Sequence, residues 1–188
     1  MTSDYIEEKA FETILQALMP ENRLALELMQ KTGMRVDDAL SLTYEALAET
    51  ARIPGCHSLT YREKKTKKLR TVSIDPKFRE KLLKRPRPKS LWLFPGRNPE
   101  KHRTRQAVFK DLQRAAKLFR LDGKRIKAHI SPHTARKIYA VNLYHEKEKG
   151  GLLRPLEAVM VDLNHENPAV TVLYALADQL SQKNYPKI

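Results

Sequence analysis

The sequence predicts an α+β domain that is mainly α-helical, with one small antiparallel β-hairpin on one edge. Two observations carry this expectation. Apolar residues recur at helical spacing through most of the chain, as at Phe11, Ile14, Leu15 and Leu18, and again at Val108, Leu112, Ala115 and Phe119. That period fades between Thr50 and Asp75, where Pro54 and Gly55 precede the β-branched residues Thr60, Thr71, Val72 and Ile74. At 188 residues the chain suits one core and is short for two domains of ordinary size, so residues 1–188 are expected to form a single domain.

Taken in order, Ser3 or Asp4 is placed to cap the first helix, which Pro20 interrupts. A second helix, Glu21 to Lys31, carries Leu24, Ala25, Leu28 and Met29 on one side, and Gly33 is placed to close it in left-handed geometry. A third helix is expected from Val36 to Leu47. The hairpin strands are expected at about Ser58 to Glu63 and Lys68 to Ile74, joined by Lys64, Lys65, Thr66 and Lys67. Pro76 starts a short helix to Leu83, Lys84 to Ser90 reads as a basic surface loop, and Leu91 to Gly96 as an apolar segment with Trp92 in the core. A long helix from Thr104 to Phe119 ends at Leu121, Asp122 and Gly123. Ser131 can cap, and Pro132 can open, a helix to about Tyr144, followed by a charged surface loop from His145 to Gly151. Leu156, Val159, Met160 and Leu163 form another stripe that Asn164 can end. The last helix starts near Pro168 with Ala169, Val172, Leu173, Leu176 and Leu180 as its buried face, which leaves Tyr174 at the edge of that stripe.

Lys and Arg number 36 against 22 Asp and Glu, a net charge of +14 that attracts polyanions over long range. The positive residues cluster, notably from Arg62 to Arg70 and from Lys84 to Arg105, which points to nucleic acid. A single cysteine, Cys56, excludes a disulfide framework within the chain and a cysteine-rich zinc site, and fits a reducing cytoplasm. Met1 is followed by no basic start with an apolar core, and no run approaches the roughly 20 apolar residues that span a bilayer, so no membrane association is expected.

The densest chemistry lies between Ile130 and Tyr174. His133 and Arg136 stand three apart and share a helix face; His165 and Tyr174 follow, nine apart. Together they offer donors for phosphate oxygens and one oxygen able to attack phosphorus. No carboxylate cluster for a metal accompanies them. Each residue also has a plainer reading, as a structural histidine, a surface arginine or a core tyrosine. Arg35 sits between Gly33 and the start of a helix, beside free amide donors. Lysines 64, 65, 67 and 68 crowd the hairpin tip, and composition alone singles out none of them.

Ser131 to Arg136 (S-P-H-x-x-R), Leu163 to His165 (L-x-H) and Tyr174 nine residues later resemble the tyrosine recombinase (phage integrase) family. Thr32 to Arg35 with Asp38 is similar to that family's first box, and Lys65, five residues before Arg70, is similar to the lysine of its K-T-G-x-x-R pattern. The resemblance runs from about Asp4 to Leu180. It implies the fold of the family's catalytic domain, without the separate N-terminal DNA-binding domain that most members carry. It also implies a catalytic set of Arg35, Lys65, His133, Arg136, His165 and Tyr174, with Asp38 orienting its neighbours; Lys64 and Lys67 stand as alternatives to Lys65. In this reading Tyr174 attacks phosphorus, His133 takes its proton, the arginines and His165 hold the phosphate, and Lys65 protonates the leaving oxygen. No cofactor is needed. Arg62, Lys64, Lys67, Lys68, Arg70, Arg103, Arg105 and Lys137 are expected to contact DNA.

The implied activity is site-specific DNA recombination through a 3′-phosphotyrosyl intermediate, carried out on double-stranded DNA by a homotetramer on paired sites, in the cytoplasm at the nucleoid. The chain departs from the family pattern at Ala135, where Leu is common, at Lys137, where His is common, and at Asn164, in place of the Gly of L-G-H. The interval from Arg136 to His165 is also longer than usual. Competing readings are a type IB topoisomerase, a non-catalytic DNA-binding regulator on the same fold, and a helix-turn-helix regulator, which explains neither the hairpin nor the ordered site residues. The charge itself makes a prediction: log affinity for duplex DNA should fall linearly with log salt, and six phosphate contacts would give a slope of about −5. Binding that ignores salt in a filter or anisotropy titration contradicts it.

Overall fold

A computed structural model describes residues 3–86, 89–121, 124–126 and 128–184. The chain runs α1 (Glu8–Leu15), α2 (Pro20–Thr32), α3 (Val36–Leu40), α4 (Tyr44–Arg52), β1 (Ser58–Arg62), β2 (Leu69–Ser73), α5 (Pro76–Leu83) and α6 (Arg105–Leu118). It continues through β3 (Arg120–Leu121), β4 (Lys124–Arg125), α7 (Pro132–Lys149), α8 (Pro155–Asp162), α9 (Pro168–Ala175) and α10 (Ala177–Asn184). The 18-residue α7 is the central element, packed against α2, α6, α8, α9 and α10. Its start is held by a capping box, in which the Ser131 hydroxyl accepts from the His133 amide and the Thr134 hydroxyl accepts from the Ser131 amide. A cap of this kind is worth about 1 kcal/mol.

Two buried clusters form. The larger gathers α1 to α6 with the start of α7, including Phe11, Leu28, Met34, Leu59, Phe94 and Leu112. The smaller lies between α7, α8 and α9, where Ala140, Val159, Leu163 and Ala175 pack with Tyr139, Tyr144 and Tyr174 at their rim. β1 and β2 pair antiparallel from Ser58 opposite Ser73 to Arg62 opposite Leu69. Leu59, Tyr61, Arg70 and Val72 face inward on this hairpin. Its turn keeps Lys67 at φ 61°. Among the described residues no helix is long and apolar enough to cross a membrane.

Several expectations are corrected. Asp4 does not cap α1; it bonds both ways with the His129 backbone (2.7 and 2.9 Å), and its carbonyl accepts from Thr134, which ties the N-terminal segment to the entrance of α7. Nor does one helix span Val36 to Leu47. Leu42 and Tyr44 exchange backbone hydrogen bonds with Leu93 and Leu91, and that extended pairing breaks the helix until Thr43 caps α4. In the same pairing Leu93 and Phe94 are buried, whereas Trp92 is only half-buried and donates to the Glu100 carbonyl. The charged segment after Tyr144 remains helical to Lys149, since Glu and Lys are good helix formers and no breaker occurs before Gly150. The C-terminal stripe is split by a break at Leu176, so α9 turns Thr171 and Ala175 inward and leaves Leu173 exposed. β3 and β4 form a short pair the periodicity did not predict; the expected stop at Asp122 and Gly123 lies outside the described residues, as do Arg87 and Pro88 of the basic loop.

Gly33 closes α2 as expected, at φ 63°, with its amide donating to the Met29 carbonyl at 2.9 Å. Its carbonyl receives two buried guanidiniums, Arg70 at 3.1 Å and Arg136. A Cβ here would run into the Tyr139 ring and Leu163 as well as strain the backbone. Gly33→Ala should therefore cost more than about 1 kcal/mol, read as a lower urea midpoint; an unchanged midpoint contradicts this placement.

Candidate active site

Five segments that are distant in sequence meet at a cleft of about 650 Å³: the Arg35 turn, the β1–β2 tip, the start of α7, the loop after α8, and α9. Arg35, Lys65, His133, Arg136, His165 and Tyr174 all line it, so the structure brings the whole expected set together. The guanidinium of Arg136 forms its floor. It is 1 % exposed and donates to the carbonyls of Gly33 and Leu163 and to His165 Nε2, the last at 3.3 Å. Those carbonyls end α2 and follow α8, where helix termini leave acceptors free and carry partial negative charge. Among the described residues no carboxylate pairs with Arg136. Burial, with Arg35 and Arg70 nearby, lowers its pKa to about 10, and it remains charged at neutral pH.

His165 follows Asn164, whose φ of 51° turns the chain back toward Arg136. Burial and then the charges of Arg136, Arg35 and Arg70 lower the His165 pKa to about 4. The ring is thus neutral. Because a guanidinium can only donate, Nε2 accepts, and the proton sits on Nδ1, directed at the Thr171 hydroxyl 3.2 Å away. The Tyr174 ring stands edge-on to His165 at 5.2 Å, and its hydroxyl lies 3.5 Å from His133 Nδ1. Burial, then Arg136 and other cations, also depress His133, which leaves a neutral imidazole beside the phenol. At Tyr174 burial pushes the phenol above its ordinary pKa, and the opposing charges of Arg136 and Arg35 do not outweigh it.

The surrounding cations divide. Arg62, Lys64, Lys67, Lys68 and Arg105 are exposed, and Lys64 Nζ lies 3.1 Å from His102 Nε2. Arg70 corrects the expectation of a DNA contact, because it occupies an inward strand position and donates to Gly33, Thr32, Tyr61 and Asp162 inside the protein. Arg103 is half-buried and bonds to Asn22, and Lys137 lies over the Tyr174 ring at 5.5 Å, so neither stands out as a surface phosphate contact. Asp38 accepts from the Lys64 amide at 2.8 Å, and its other oxygen is buried without a partner among the described residues. Burial raises its pKa, the Lys64 bond opposing and Glu63 adding to the rise. Among the described residues no three His, Cys, Asp or Glu side chains group as metal ligands.

Two residues escaped the sequence reading. Thr171 fixes the His165 ring. Glu63, with a fully buried side chain, binds Arg35, Thr66 and Asn164. The signal for Glu63 was a carboxylate continuing the inward alternation of Leu59 and Tyr61.

Comparison with known proteins shows the family and the fold. The phage integrase family profile matches residues 4–180, and the chain belongs to that family. Its fold is similar to the XerH site-specific recombinase bound to a palindromic difH substrate in a post-cleavage complex (TM-score 0.67, 20 % identity, covering 98 % of this chain and 53 % of that one). It is also similar to the catalytic domain of bacteriophage HP1 integrase (0.59, 20 %, 98 % and 96 %) and to the Tn1549 transposon integrase in complex with circular intermediate DNA (0.66, 13 %, 96 % and 65 %). The chain thus spans about half the length of XerH. The sequence matches no curated protein.

The depressed histidines set a pH dependence. A histidine near pKa 6.5 when unfolded and about 4 when folded takes up its proton only on unfolding within that window, so stability is full above about pH 6.5 and falls as pH drops toward 4. His165→Gln should flatten that fall in urea midpoints measured across the window. An equally steep fall in the variant contradicts the assignment.

Proposed function

We propose that this protein is a DNA strand transferase that cleaves and rejoins duplex DNA at specific sites through a 3′-phosphotyrosyl intermediate. The observation that carries the reading is the buried, carboxylate-free Arg136 guanidinium at the floor of a cleft that also holds Arg35 and the Tyr174 hydroxyl. A phosphodiester supplies the missing anion, and two planar guanidiniums suit its non-bridging oxygens. Tyr174 Oη then bonds to phosphorus while its proton passes to neutral His133. The bond from phosphorus to the 5′ oxygen breaks, and Lys65 gives that oxygen its proton, leaving a free 5′ hydroxyl and a phosphotyrosyl ester. Attack by a 5′ hydroxyl, from the same or another strand, reverses the steps without an external energy source. As charge grows on the phosphoryl oxygens, Arg35 and Arg136 neutralise it. A phosphate beside His165 also favours its protonated form, which makes Nε2 a donor.

The similarity to XerH and the Tn1549 integrase, both solved with DNA, supports duplex DNA as the substrate. Recombination needs two paired sites and hence several copies of the chain; exposed Leu153, Val161 and Leu173, on or beside the neighbouring helices α8 and α9, are apolar surface available to such an assembly. We place the activity in the cytoplasm, at the nucleoid.

The test needs no known target. A pool of nicked duplexes with a randomised stretch should yield DNA that stays attached to the protein after denaturation, and peptide mapping should locate the adduct at Tyr174. Tyr174→Phe should still bind DNA and capture none. Capture that survives in Tyr174→Phe, or an adduct at Tyr185, overturns the reading. On the captured sequence, Lys65→Ala should cleave slowly and recover with a 5′-bridging phosphorothiolate, whose leaving group needs no proton; recovery in Lys64→Ala or Lys67→Ala instead moves the acid to that residue.

A further inference from the structure

Glu63 is a carboxylate within a cluster of cations, fully buried, and the strand-transfer chemistry above assigns it no step. It continues the inward alternation of β1 and sits at the base of the hairpin turn. Its amide donates to the Lys68 carbonyl and its carbonyl accepts from the Lys67 amide, both at 2.9 Å. The two carboxylate oxygens are used differently. Oε1 receives the Arg35 guanidinium. Oε2 receives the Thr66 hydroxyl at 2.6 Å and the Asn164 side-chain amide at 2.8 Å.

We propose that Glu63 is a positioning residue that sets three phosphate-handling groups at once: Arg35 directly, Lys65 through Thr66, and His165 through Asn164. This rests on the strand-transfer reading. The partners belong to the Arg35 turn, the hairpin tip and the loop after α8; Asp38 also ties the first to the second and Arg136 the first to the third, but Glu63 bonds to side chains of all three. Arg35 has five N–H donors, so a carboxylate on one of them orients the planar fork and leaves the others to face the cleft it lines. Asn164 thereby gains a role. At φ 51° the backbone would suit a glycine, but only the asparagine side chain supplies the donor that reaches Glu63. Burial alone would raise the Glu63 pKa; the bonds from Thr66 and Asn164, with the charges of Arg35 and Arg70, outweigh it and keep the group ionised.

The asymmetry of the two oxygens makes the role separable. In Glu63→Gln the amide oxygen can take the Oε2 place and keep Thr66 and Asn164, while its NH₂ faces Arg35 and cannot accept. Glu63→Ala releases all three. Single-turnover cleavage of the captured duplex should be measured with an ordinary phosphodiester, with a methylphosphonate that lacks one charged oxygen, and with a 5′-bridging phosphorothiolate. Misplacing a reacting group by about 1 Å costs about 10²-fold. Glu63→Gln should lose about that much on the phosphodiester and clearly less on the methylphosphonate, where less charge needs Arg35, with no recovery on the phosphorothiolate. In Glu63→Ala the phosphorothiolate should restore part of the loss, because the Lys65 turn is also freed. Wild-type rates in both variants, or one equal loss on all three substrates, overturns the proposal. Side-chain NMR of the free protein provides a readout independent of cleavage: the Asn164 amide resonances should persist in Glu63→Gln and shift in Glu63→Ala, while the Arg35 Nε–H shifts in both. Unmoved resonances overturn the proposal even if the chain captures no DNA, a result that by itself would sink only the strand-transfer reading.

Discussion

The Gly33 carbonyl is where this fold and its site are joined. It is the last acceptor of α2, and it takes hydrogen bonds from Arg70 of the hairpin and Arg136 of α7. Two like charges sharing one buried acceptor would repel strongly in a low dielectric, so further groups must answer each of them. Arg70 has the Thr32 carbonyl, Tyr61 and the Asp162 carboxylate. Among the described residues Arg136 has neutral partners only, the Leu163 carbonyl and His165. The difference separates a guanidinium that meets a carboxylate within the protein from one that, among the described residues, meets two carbonyls and a neutral imidazole. Gly33 itself must be glycine, because its φ of 63° and the Tyr139 ring leave no room for a Cβ.

The remaining electrostatics follow from that inequality. Burial and then the positive floor keep both cleft histidines neutral, and neutrality fixes what each ring can do: His165 accepts from Arg136 and donates to Thr171, while His133 offers Nδ1 to the phenol. Asp38 and Glu63 grip the hairpin turn through its backbone and Thr66, which holds Lys64 and Lys65 beside the cleft without cancelling the charge of Arg136. Stability and site geometry are therefore not independent, since the bonds that orient the cleft are also those that tie α2, α7, α8 and the hairpin together.

The helices were legible wherever one face meets one core. The stripes of α1, α2 and α6 appear in the sequence because burial there is governed by local periodicity, and Gly33, Ser131 and Asn164 announce helix ends through backbone geometry that few residues tolerate. The readings failed where a distant segment intervened. The pairing of Leu42 and Tyr44 with Leu91 and Leu93 broke a helix the pattern had continued, and with the break at Leu176 α9 buries Thr171 beside His165 while Tyr174 lines the cleft.

For the candidate site, the sequence by itself determined which groups are on offer: ordered His, Arg, Lys and Tyr residues at spacings that resemble one family, with a net positive charge that attracts polyanions. Tertiary structure decided which of these charges are available. Arg70 and Arg136 look alike in sequence, both arginines in boxes of the same family; one is spent on an internal carboxylate and the other lines the cleft. For Glu63 the alternation of Leu59 and Tyr61 signalled an inward position but not the partners that meet it there. A lone carboxylate among lysines looks like a solvated surface charge until the fold brings Arg35 and Asn164, 28 and 101 residues away, to its two oxygens. Hydrogen-bond partners far apart in the chain leave no periodicity, so only the folded arrangement reveals them.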